Sequence, residues 1–307
     1  MTALSPTTPD DLAAPRGRGL WADAARRLRR DRSAMLCLGV ILLYIGVAVG
    51  AAAFLGGWNE SYDYARANED PSWDFWLGTD NFGRSTFQEL LLGAKVSLTV
   101  ALLTNLIAVP LGIALGALAG YYGGVLDDLI VWLLATLAAV PEMIRLIALR
   151  FAFSTGPLFG FIDMSGVGGL CLALAVTSWI GTCRYVRAET MKIRQLDYVL
   201  AARAIGTSGP GILARHVLPN VVHIGIINFS LGMVGAIMAE VVLTYLGLGL
   251  TGQPSWGQMI AHSQAKVVVG QWRQLAAATT AIFFLVLALN ILGDRLRDAL
   301  DPRLKNA

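Results

Sequence analysis

The chain of 307 residues is apolar and only weakly basic. Hydrophobic residues make up 55% of it and charged residues 15%, with 24 Lys and Arg against 21 Asp and Glu, for a formal net charge of +3. A soluble domain carries more charge. With a mean hydropathy of +0.59, the composition excludes an ordinary soluble domain and predicts an all-α integral membrane protein.

Six segments are long and apolar enough to cross a bilayer, which requires about 20 apolar residues each. Six spans would leave both termini on the same side of the membrane. The three cysteines, Cys37, Cys171 and Cys183, fall within these segments without metal-ligand spacing, so we interpret them as packing residues and expect no metal site. The predicted spans are residues 34–56, 96–119, 127–150, 166–183, 221–247 and 274–293.

Basic residues cluster in three places: before the first span, between the fourth and fifth, and after the sixth. The positive-inside rule makes all three segments cytoplasmic. The basic N-terminal segment could bind nucleic acid, but its position beside a span favours anionic lipid headgroups. We therefore expect membrane lipid, and not nucleic acid, as a partner.

These assignments divide the chain into five parts. Within the first part, residues 21–32 are predicted to form a basic amphipathic helix on the inner membrane surface. Within the second part, residues 35–55 are predicted to form an uncleaved signal anchor. The predicted parts are a cytoplasmic tail (1–33), a first transmembrane helix (34–56), an extracytoplasmic loop (57–95), a core of five transmembrane helices that includes a polar loop at 197–220 (96–294), and a cytoplasmic tail (295–307).

The second span carries Gly112, Gly116 and Gly120 at four-residue spacing, a pattern that permits close helix contact. The third span carries Glu142 and Arg145 beyond the middle of the bilayer, by helical rise. Their i,i+3 spacing places them on one helical face, so they can neutralise each other. They are either a self-satisfied pair packed against another helix or a pair that lines a solute path.

Two further charged residues lie near the outer ends of predicted spans. Arg150 is expected to extend its side chain to the membrane surface. Glu240, about 30 Å along the fifth span, is either a gate residue or a solvated acid at a helix end.

The polar loop at 197–220 lies between two apolar segments. Asp197 could cap a short helix that Gly206 ends. A second short helix is expected over 212–217, and Pro219 suits the first turn of the next span. The loop is either a site that contacts a partner or an ordinary helix-turn-helix between spans.

Several motifs together resemble one family, the dipeptide/oligopeptide/nickel branch of binding-protein-dependent ABC importer permeases, over about 77–303. Residue 200, where the EAA-loop motif has an acid, is Leu, and the family usually has apolar residues after Pro141. The matching strings are Ala201-Ala202-xxx-Gly206 with Leu218-Pro219, Arg215-His216-Val-Leu-Pro-Asn220, Leu77-Gly-Thr-Asp80-Asn-Phe-Gly83-Arg84, Glu240-Val-Val-Leu-Thr-Tyr-Leu246-Gly-Leu-Gly249, Pro254-Ser-Trp256-Gly257 and Ala288-Leu-Asn-Ile-Leu-Gly293-Asp-Arg-Leu-Arg297-Asp-Ala-Leu-Asp301-Pro-Arg303.

The resemblance implies a type I importer permease fold in a bacterial inner membrane. It implies a second homologous permease subunit, two ATP-binding subunits or domains and an extracytoplasmic solute-binding protein as partners. ATP and Mg would bind to the ATPase partners, and this chain would hold no cofactor. The cargo would be a peptide or peptide-like solute. The residues expected to couple the chain to the ATPases are Leu200, Ala201, Ala202, Arg203, Gly206, His216 and Pro219.

The alternatives are a self-contained secondary transporter or channel that uses Glu142 and Arg145, and an intramembrane enzyme. The sequence has no G-x-x-x-x-G-K-[ST] phosphate loop, and its histidines, His216, His223 and His262, are dispersed. We therefore expect no ATPase or other enzymatic activity in this chain alone. A secondary transporter would be expected to show two inverted, broken-helix halves, which the sequence does not display.

Overall fold

The computed structural model describes residues 20–55, 62–154, 166–250, 252–268 and 270–300. This part of the chain is helical and has no strand beyond one isolated bridge between Thr79 and Ser85, which confirms the predicted all-α class. The helices are α1 (Leu20–Arg30), α2 (Arg32–Phe54), α3 (Thr86–Tyr122), α4 (Gly124–Ala139), α5 (Glu142–Ser154), α6 (Val167–Ile193), α7 (Asp197–Ala204), α8 (Gly209–Ile212), α9 (Leu218–Tyr245), α10 (Trp256–Val268) and α11 (Arg273–Leu300).

Five continuous helical segments are long and apolar enough to cross a membrane: α2, α3, α6, α9 with the turns before it, and α11. The prediction of a single straight span over 127–150 is wrong, because α4 and α5 meet at an angle of 94°. Val140 is extended, with φ −90° and ψ 128°, since the ring of the following Pro141 disfavours helical geometry. The bent pair could form a sixth span.

α3 is longer than the predicted second span. It starts at Thr86, with Ser85 as its N-cap, so the last ten residues of the predicted outer loop at 57–95 are helical. The Ser85 hydroxyl accepts a hydrogen bond from the Gln88 backbone N–H at 3.4 Å, in the manner of a capping serine. The 37-residue helix runs through Pro110 and ends at Tyr122.

The close contact predicted from Gly112, Gly116 and Gly120 is confirmed, and its partner is α6. A Cβ added to these glycines would lie 2.8, 2.6 and 2.7 Å from the backbone oxygens of Trp179, Cys183 and Arg187, respectively. Such distances are impossible without movement of one helix. The two backbones therefore touch along slightly more than two helical turns, and we call this contact the glycine seam.

The segment from Tyr62 to Ser85 is an ordered cap before α3. The Thr79 hydroxyl donates to the Arg66 carbonyl at 2.5 Å and accepts from the Glu69 N–H at 2.8 Å. Asp80 and Arg84 form a buried ion pair at 2.8 Å. These side chains bond to other residues of the same segment. The segment therefore has an ordered structure of its own and is not a simple turn.

The basic helix expected over 21–32 is present as α1, which packs against α2 and α11. Asp31 caps α2 by accepting from the Ser33 and Ala34 backbone N–H groups at 2.9 and 3.3 Å. The hydrogen bond from the Ser33 hydroxyl is the largest cause that holds the pKa of Asp31 below its usual value. Asp31 also pairs with Arg295 at 3.3 Å, so the two terminal helices are joined.

Candidate functional sites: the polar loop and a central cleft

The polar loop begins with α7, but its predicted cap is wrong. Leu196 is the N-cap residue and no side chain caps the helix. Asp197 is instead the first helical residue, where a negative charge suits the positive end of the helix dipole.

Gly206 ends α7 as predicted. Its φ is +85°, in the left-handed region that favours glycine. The Thr207 N–H donates to the Ala202 carbonyl at 3.0 Å, and the Gly206 N–H donates to the Arg203 carbonyl at 3.1 Å. This pair of bonds is a Schellman motif, which satisfies carbonyls at a helix end and fixes the direction of the following chain.

The two faces of α7 differ in exposure. Val199 and Ala202 are buried in a cluster with Tyr121 of α3 and Val217, which precedes α9. Ala202, one of the residues expected to couple the chain to the ATPases, therefore faces the interior of this chain and not its surface. The outer face carries Leu200, Ala201 and Arg203, all exposed.

The second half of the loop contains a π-helical turn, Leu213–Val217, in place of the short α-helix expected over 212–217. The Leu218 N–H donates to the Leu213 carbonyl. Pro219 lies in the first turn of α9, as predicted; because it has no N–H, it cannot continue the regular ladder across this junction. The His216 ring lies 5.9 Å from that of Tyr198, so His216 connects the turn to α7.

Two arginines, one near the end of α6 and one that follows it, tie this end of the helix to α4 and α3. Arg187 makes a bidentate ion pair with Asp127 of α4, at 2.5 and 2.7 Å. Arg194 donates to the carbonyl oxygens of Gly120 and Tyr121 at 3.1 and 3.5 Å, which are orphan acceptors at the end of α3. The end of α6, from which the chain enters the loop, is therefore fixed to α4 and to the end of α3.

The loop exposes apolar surface around a recess. Leu200 is 47% exposed and Ile205 is 83% exposed. Leu200 also lines a recess of about 590 Å³. Leu200 therefore adds to the exposed apolar area beside the recess. The residues around the recess are Tyr121, Tyr122, Arg194, Gln195, Leu200, Arg203 and Gly209.

A cleft of about 520 Å³ lies between α3, α5, α6 and α9. Its walls mix apolar side chains with polar and charged ones. Its volume lies within the roughly 300–1,000 Å³ of small-molecule sites. The polar and charged residues that line it are Asn105, Glu142, Arg145, Thr177, Ser178, Thr182, Arg184 and Asn228.

Glu142 and Arg145 both line the cleft, but the prediction that they neutralise each other is wrong. In the described part of the chain, Arg145 instead donates through Nη1 to the carbonyl oxygens of Leu137 and Val140, the latter at 3.2 Å. These carbonyls lose their helical donors because Pro141 interrupts the helix. Arg145 thus caps the end of α4, and Glu142 lies in the first turn of α5.

Glu240 is fully buried, at 0% exposure, so its interpretation as a solvated helix-end acid is wrong. Ser97 donates to its Oε2 at 3.1 Å, and Thr244 donates to its Oε1 at 2.9 Å. Both carboxylate oxygens are therefore occupied. The neighbouring Ala239, and not Glu240, lines the cleft.

Arg150 is buried, at 3% exposure, which overturns the expectation that it reaches the membrane surface. It donates to the Leu248 and Gly249 carbonyls at 2.9 and 3.3 Å. These carbonyls follow the end of α9, so Arg150 ties α5 to the segment that bears the family's Leu-Gly-Leu-Gly string.

Sequence reasoning did not single out Asn105, Asn228 and Arg184 as cleft residues. Each asparagine is a polar amide within a long apolar span, and this was the feature of the sequence that could have indicated them. Arg184 was counted only as part of the basic cluster that sets topology. The described residues contain no group of His, Cys, Asp and Glu suited to a metal ion.

The fold and the sites define a multi-pass membrane protein with a polar loop on one side and a polar cleft among its spans. The chain matches the family "Binding-protein-dependent transport system inner membrane component" over residues 112–306, and the "N-terminal TM domain of oligopeptide transport permease C" over residues 19–75. It belongs to the first family, and is therefore a transport permease component of the inner membrane.

Characterised relatives agree with this assignment. The chain is 35% identical over 288 residues to a glutathione transport system permease protein of Pectobacterium atrosepticum, covering 93% of this chain and 92% of the relative. It is 34% identical to a dipeptide transport system permease protein of Bacillus subtilis, with coverage of 92% and 86%. An oligopeptide transport system permease protein of the same organism is 32% identical, with coverage of 93% and 90%.

Proposed function

We propose that this chain is a permease subunit of an ATP-driven ABC importer for peptides or peptide-like solutes. It works with a second homologous permease, two ATP-binding subunits or domains, and an extracytoplasmic solute-binding protein. ATP and Mg bind to the ATPase partners. The observation that carries the proposal is that α6 lines the cleft with Ser178 and Arg184, while its last turns share a buried apolar cluster with Val199 and Ala202 of the polar loop.

The polar loop is the surface that contacts the ATPases. Its exposed apolar residues, Leu200 and Ile205, are suited to burial against a partner. Ala202 is packed inward, Gly206 sets the end of α7, and His216 and Pro219 join the π turn to α9. Arg203 and Ala201 lie on the outer face, beside Leu200.

A displacement of α7 is transmitted to the spans because α7 is packed against them. The buried cluster around Ala202 joins α7 to α3 and α9, and the bonds from Arg194 join α6 to the end of α3. When ATP draws the ATPases together, α7 is displaced as a rigid lever. The spans then rotate about the glycine seam, and the cleft closes on one side of the membrane and opens on the other.

The orientation of the chain follows from its charges. The basic segments, including α1, the polar loop and the end of α11, lie in the cytoplasm, and the segment at 62–85 lies outside. Both termini are then cytoplasmic, with the bent pair α4–α5 counted as one of six spans. Cysteine labelling of residues in the polar loop and in the segment at 62–85, from each side of the membrane, measures this topology.

The cleft forms this subunit's half of the translocation path. The break at Pro141 places the end of α4 and the start of α5 beside it, with Glu142 and Arg145 in its wall. Broken helices that carry polar groups at mid-membrane depth are a recurrent feature of transport sites. Glu240 does not touch the solute in this account; it ties α9 to α3 through Ser97.

The test is co-purification of the tagged chain from its native membrane, with partners identified by mass spectrometry and ATP-dependent uptake measured in proteoliposomes. We expect a second permease, ATPase subunits and a solute-binding protein. The control is a tagged chain with Ile205→Glu, which places a charge on the most exposed apolar residue of the loop and should recover fewer ATPase subunits. Recovery of a homo-oligomer alone would contradict the importer function.

The alternative is a self-contained secondary transporter or channel, which the broken span beside Glu142 favours. It requires solute movement by the purified chain without ATP or an ATPase. Uptake by liposomes that contain this chain alone, driven by an imposed proton gradient, would support this alternative.

A further inference from the structure

Two charged side chains in the cleft have no partner of their own. Glu142 at the start of α5 and Arg184 on α6 both line the cleft and are exposed. In the part of the chain that the structure describes, neither side chain takes part in a hydrogen bond or ion pair. This contrasts with Asp127, Arg187 and Glu240, whose charged groups are held by partners. Unpaired charges among apolar helices are costly and mark solute or ion paths.

Three neutral polar residues of the cleft each donate a hydrogen bond to a carbonyl of their own helix. Asn105 donates to the Ala101 carbonyl, Asn228 to the Ile224 carbonyl and Ser178 to the Leu174 carbonyl, each at 2.8 Å. The Asn105 oxygen lies against Gly232 of α9 and the residue is buried. The Ser178 hydroxyl and the Asn228 amide each keep an oxygen that accepts hydrogen bonds, so the α6 and α9 walls offer acceptors for the N–H groups of an amide or ammonium.

Two glycines keep the cleft open. Gly181 on α6 and Gly235 on α9 line it, and a Cβ added to either would meet no atom within 4 Å. Glycine within a helix is less stable than alanine, so packing inside this chain does not explain these two positions. Their effect is to leave room between Glu142, Arg184 and the acceptor wall.

We propose that Glu142 and Arg184 are specificity-determining contacts for a small zwitterionic solute. Glu142 binds the ammonium group, Arg184 binds the carboxylate, and the Asn228 oxygen accepts from a solute amide N–H group. The permease itself then recognises both ends of the solute, in addition to any selection by a binding protein. This inference rests on the proposed function, because a solute meets the cleft only if the cleft is part of the path.

The experiment uses Gly235→Cys as a reporter in the full chain in native membrane vesicles. The probes are two thiol reagents, an anionic sulfonatoethyl and a cationic trimethylammonium-ethyl methanethiosulfonate. The unsubstituted chain, whose three cysteines are buried, is the blank. Added Arg184→Gln should slow the anionic reagent about two- to fivefold, and added Glu142→Gln should slow the cationic reagent by a similar factor.

Protection of the reporter tests solute binding directly. Glycylglycine should slow labelling of Gly235→Cys, whereas N-acetyl-glycylglycine and glycylglycine amide, each lacking one charge, should protect much less. Arg184→Gln should remove the advantage of the free carboxylate, and Arg184→Lys should partly restore it. The matched control is Lys192→Gln, which removes an exposed charge from the same helix outside the cleft and should change none of these rates.

Three results would contradict this assignment of charged contacts. Equal protection by the three dipeptides, no protection by any of them, or labelling rates insensitive to Glu142→Gln and Arg184→Gln would overturn the charge assignment. Because labelling needs neither ATP nor a binding protein, these results leave the importer function standing. Loss of ATPase co-purification with normal charge-dependent protection would instead contradict the importer function alone.

Discussion

The glycine seam and the cleft use the same residue for opposite purposes. At the seam, a Cβ on Gly116 would lie 2.6 Å from the Cys183 carbonyl oxygen, whereas in the cleft a Cβ on Gly235 would meet nothing within 4 Å. The seam glycines permit backbone contact, which makes α3 and α6 one rigid unit. The cleft glycines keep space free. The comparison shows how one helix, α6, packs against α3 on one face and lines the cleft on another.

The largest expected effect comes from filling the seam. Gly116→Leu forces the Cβ into the α6 backbone, which cannot move aside as a flexible side chain can, so the cost should exceed the roughly 1–3 kcal/mol typical of overpacking. We expect little folded protein in the membrane, measured by detergent extraction and size-exclusion chromatography.

Gly235→Leu is the matched control for the seam variant. It adds the same side chain to open space, so the folded yield should match the unsubstituted chain, while uptake should fall because the cleft is narrowed. Equal yields for the two variants would show that the seam is not packed as described.

The next effect is a loss of transport without a loss of assembly. Gly206→Pro removes the N–H that bonds the Arg203 carbonyl and forces φ from +85° to near −65°, and Ala202→Leu overfills the cluster beneath α7. We expect both to abolish ATP-dependent uptake while partner subunits still co-purify. Ala188→Leu, at an exposed position of α6, should transport normally. Normal uptake by the loop variants would contradict the lever mechanism.

Loss of the Asp127–Arg187 ion pair should have an intermediate effect on stability. The pair is bidentate but partly exposed, with side-chain exposures of 28% for Arg187 and 16% for Asp127. Asp127→Asn should therefore cost about 1–3 kcal/mol, less than the roughly 3–5 kcal/mol for breaking a fully buried pair. Thermal unfolding in detergent measures the loss. Asp128→Asn, which removes the adjacent charge, should be close to neutral.

The smallest effect separates Arg145 as a helix cap from Arg145 as a partner of Glu142. Arg145→Gln should cost about 1 kcal/mol, because the Leu137 and Val140 carbonyls lose a donor, whereas Glu142→Gln should leave stability unchanged. A double-mutant cycle should give a coupling energy near zero. Coupling of about 1 kcal/mol or more would restore the ion-pair interpretation.

Much of the fold could be predicted because hydropathy and charge act locally. Spans, the amphipathic α1, the glycine stripe and the stop at Gly206 each follow from a few neighbouring residues. The bend at Pro141 was missed because a proline within an apolar segment can kink a helix or end it, and sequence alone does not decide which. The burial of Glu240 and Arg150 was not predicted because their hydrogen-bond partners, Ser97 and Leu248, are far from them in the sequence.

The candidate sites show the same difference between what neighbouring residues predict and what tertiary packing decides. The polar loop was located from its own residues, but only the tertiary structure shows that Ala202 faces inward and Leu200 outward. The cleft was anticipated only through Glu142 and Arg145, since Asn105, Arg184 and Asn228 belong to three different helices. Their assembly is a result of packing that no local pattern encodes.

The central claim is that the polar loop and the cleft move together. The most direct measurement is the labelling rate of Gly235→Cys in the assembled complex, with and without ATP, in chains carrying either Gly206 or Gly206→Pro. The account predicts that ATP changes the labelling rate severalfold and that Gly206→Pro removes this change while partners remain bound. A rate that ATP leaves unaltered, or an ATP-dependent change that survives Gly206→Pro, would contradict it.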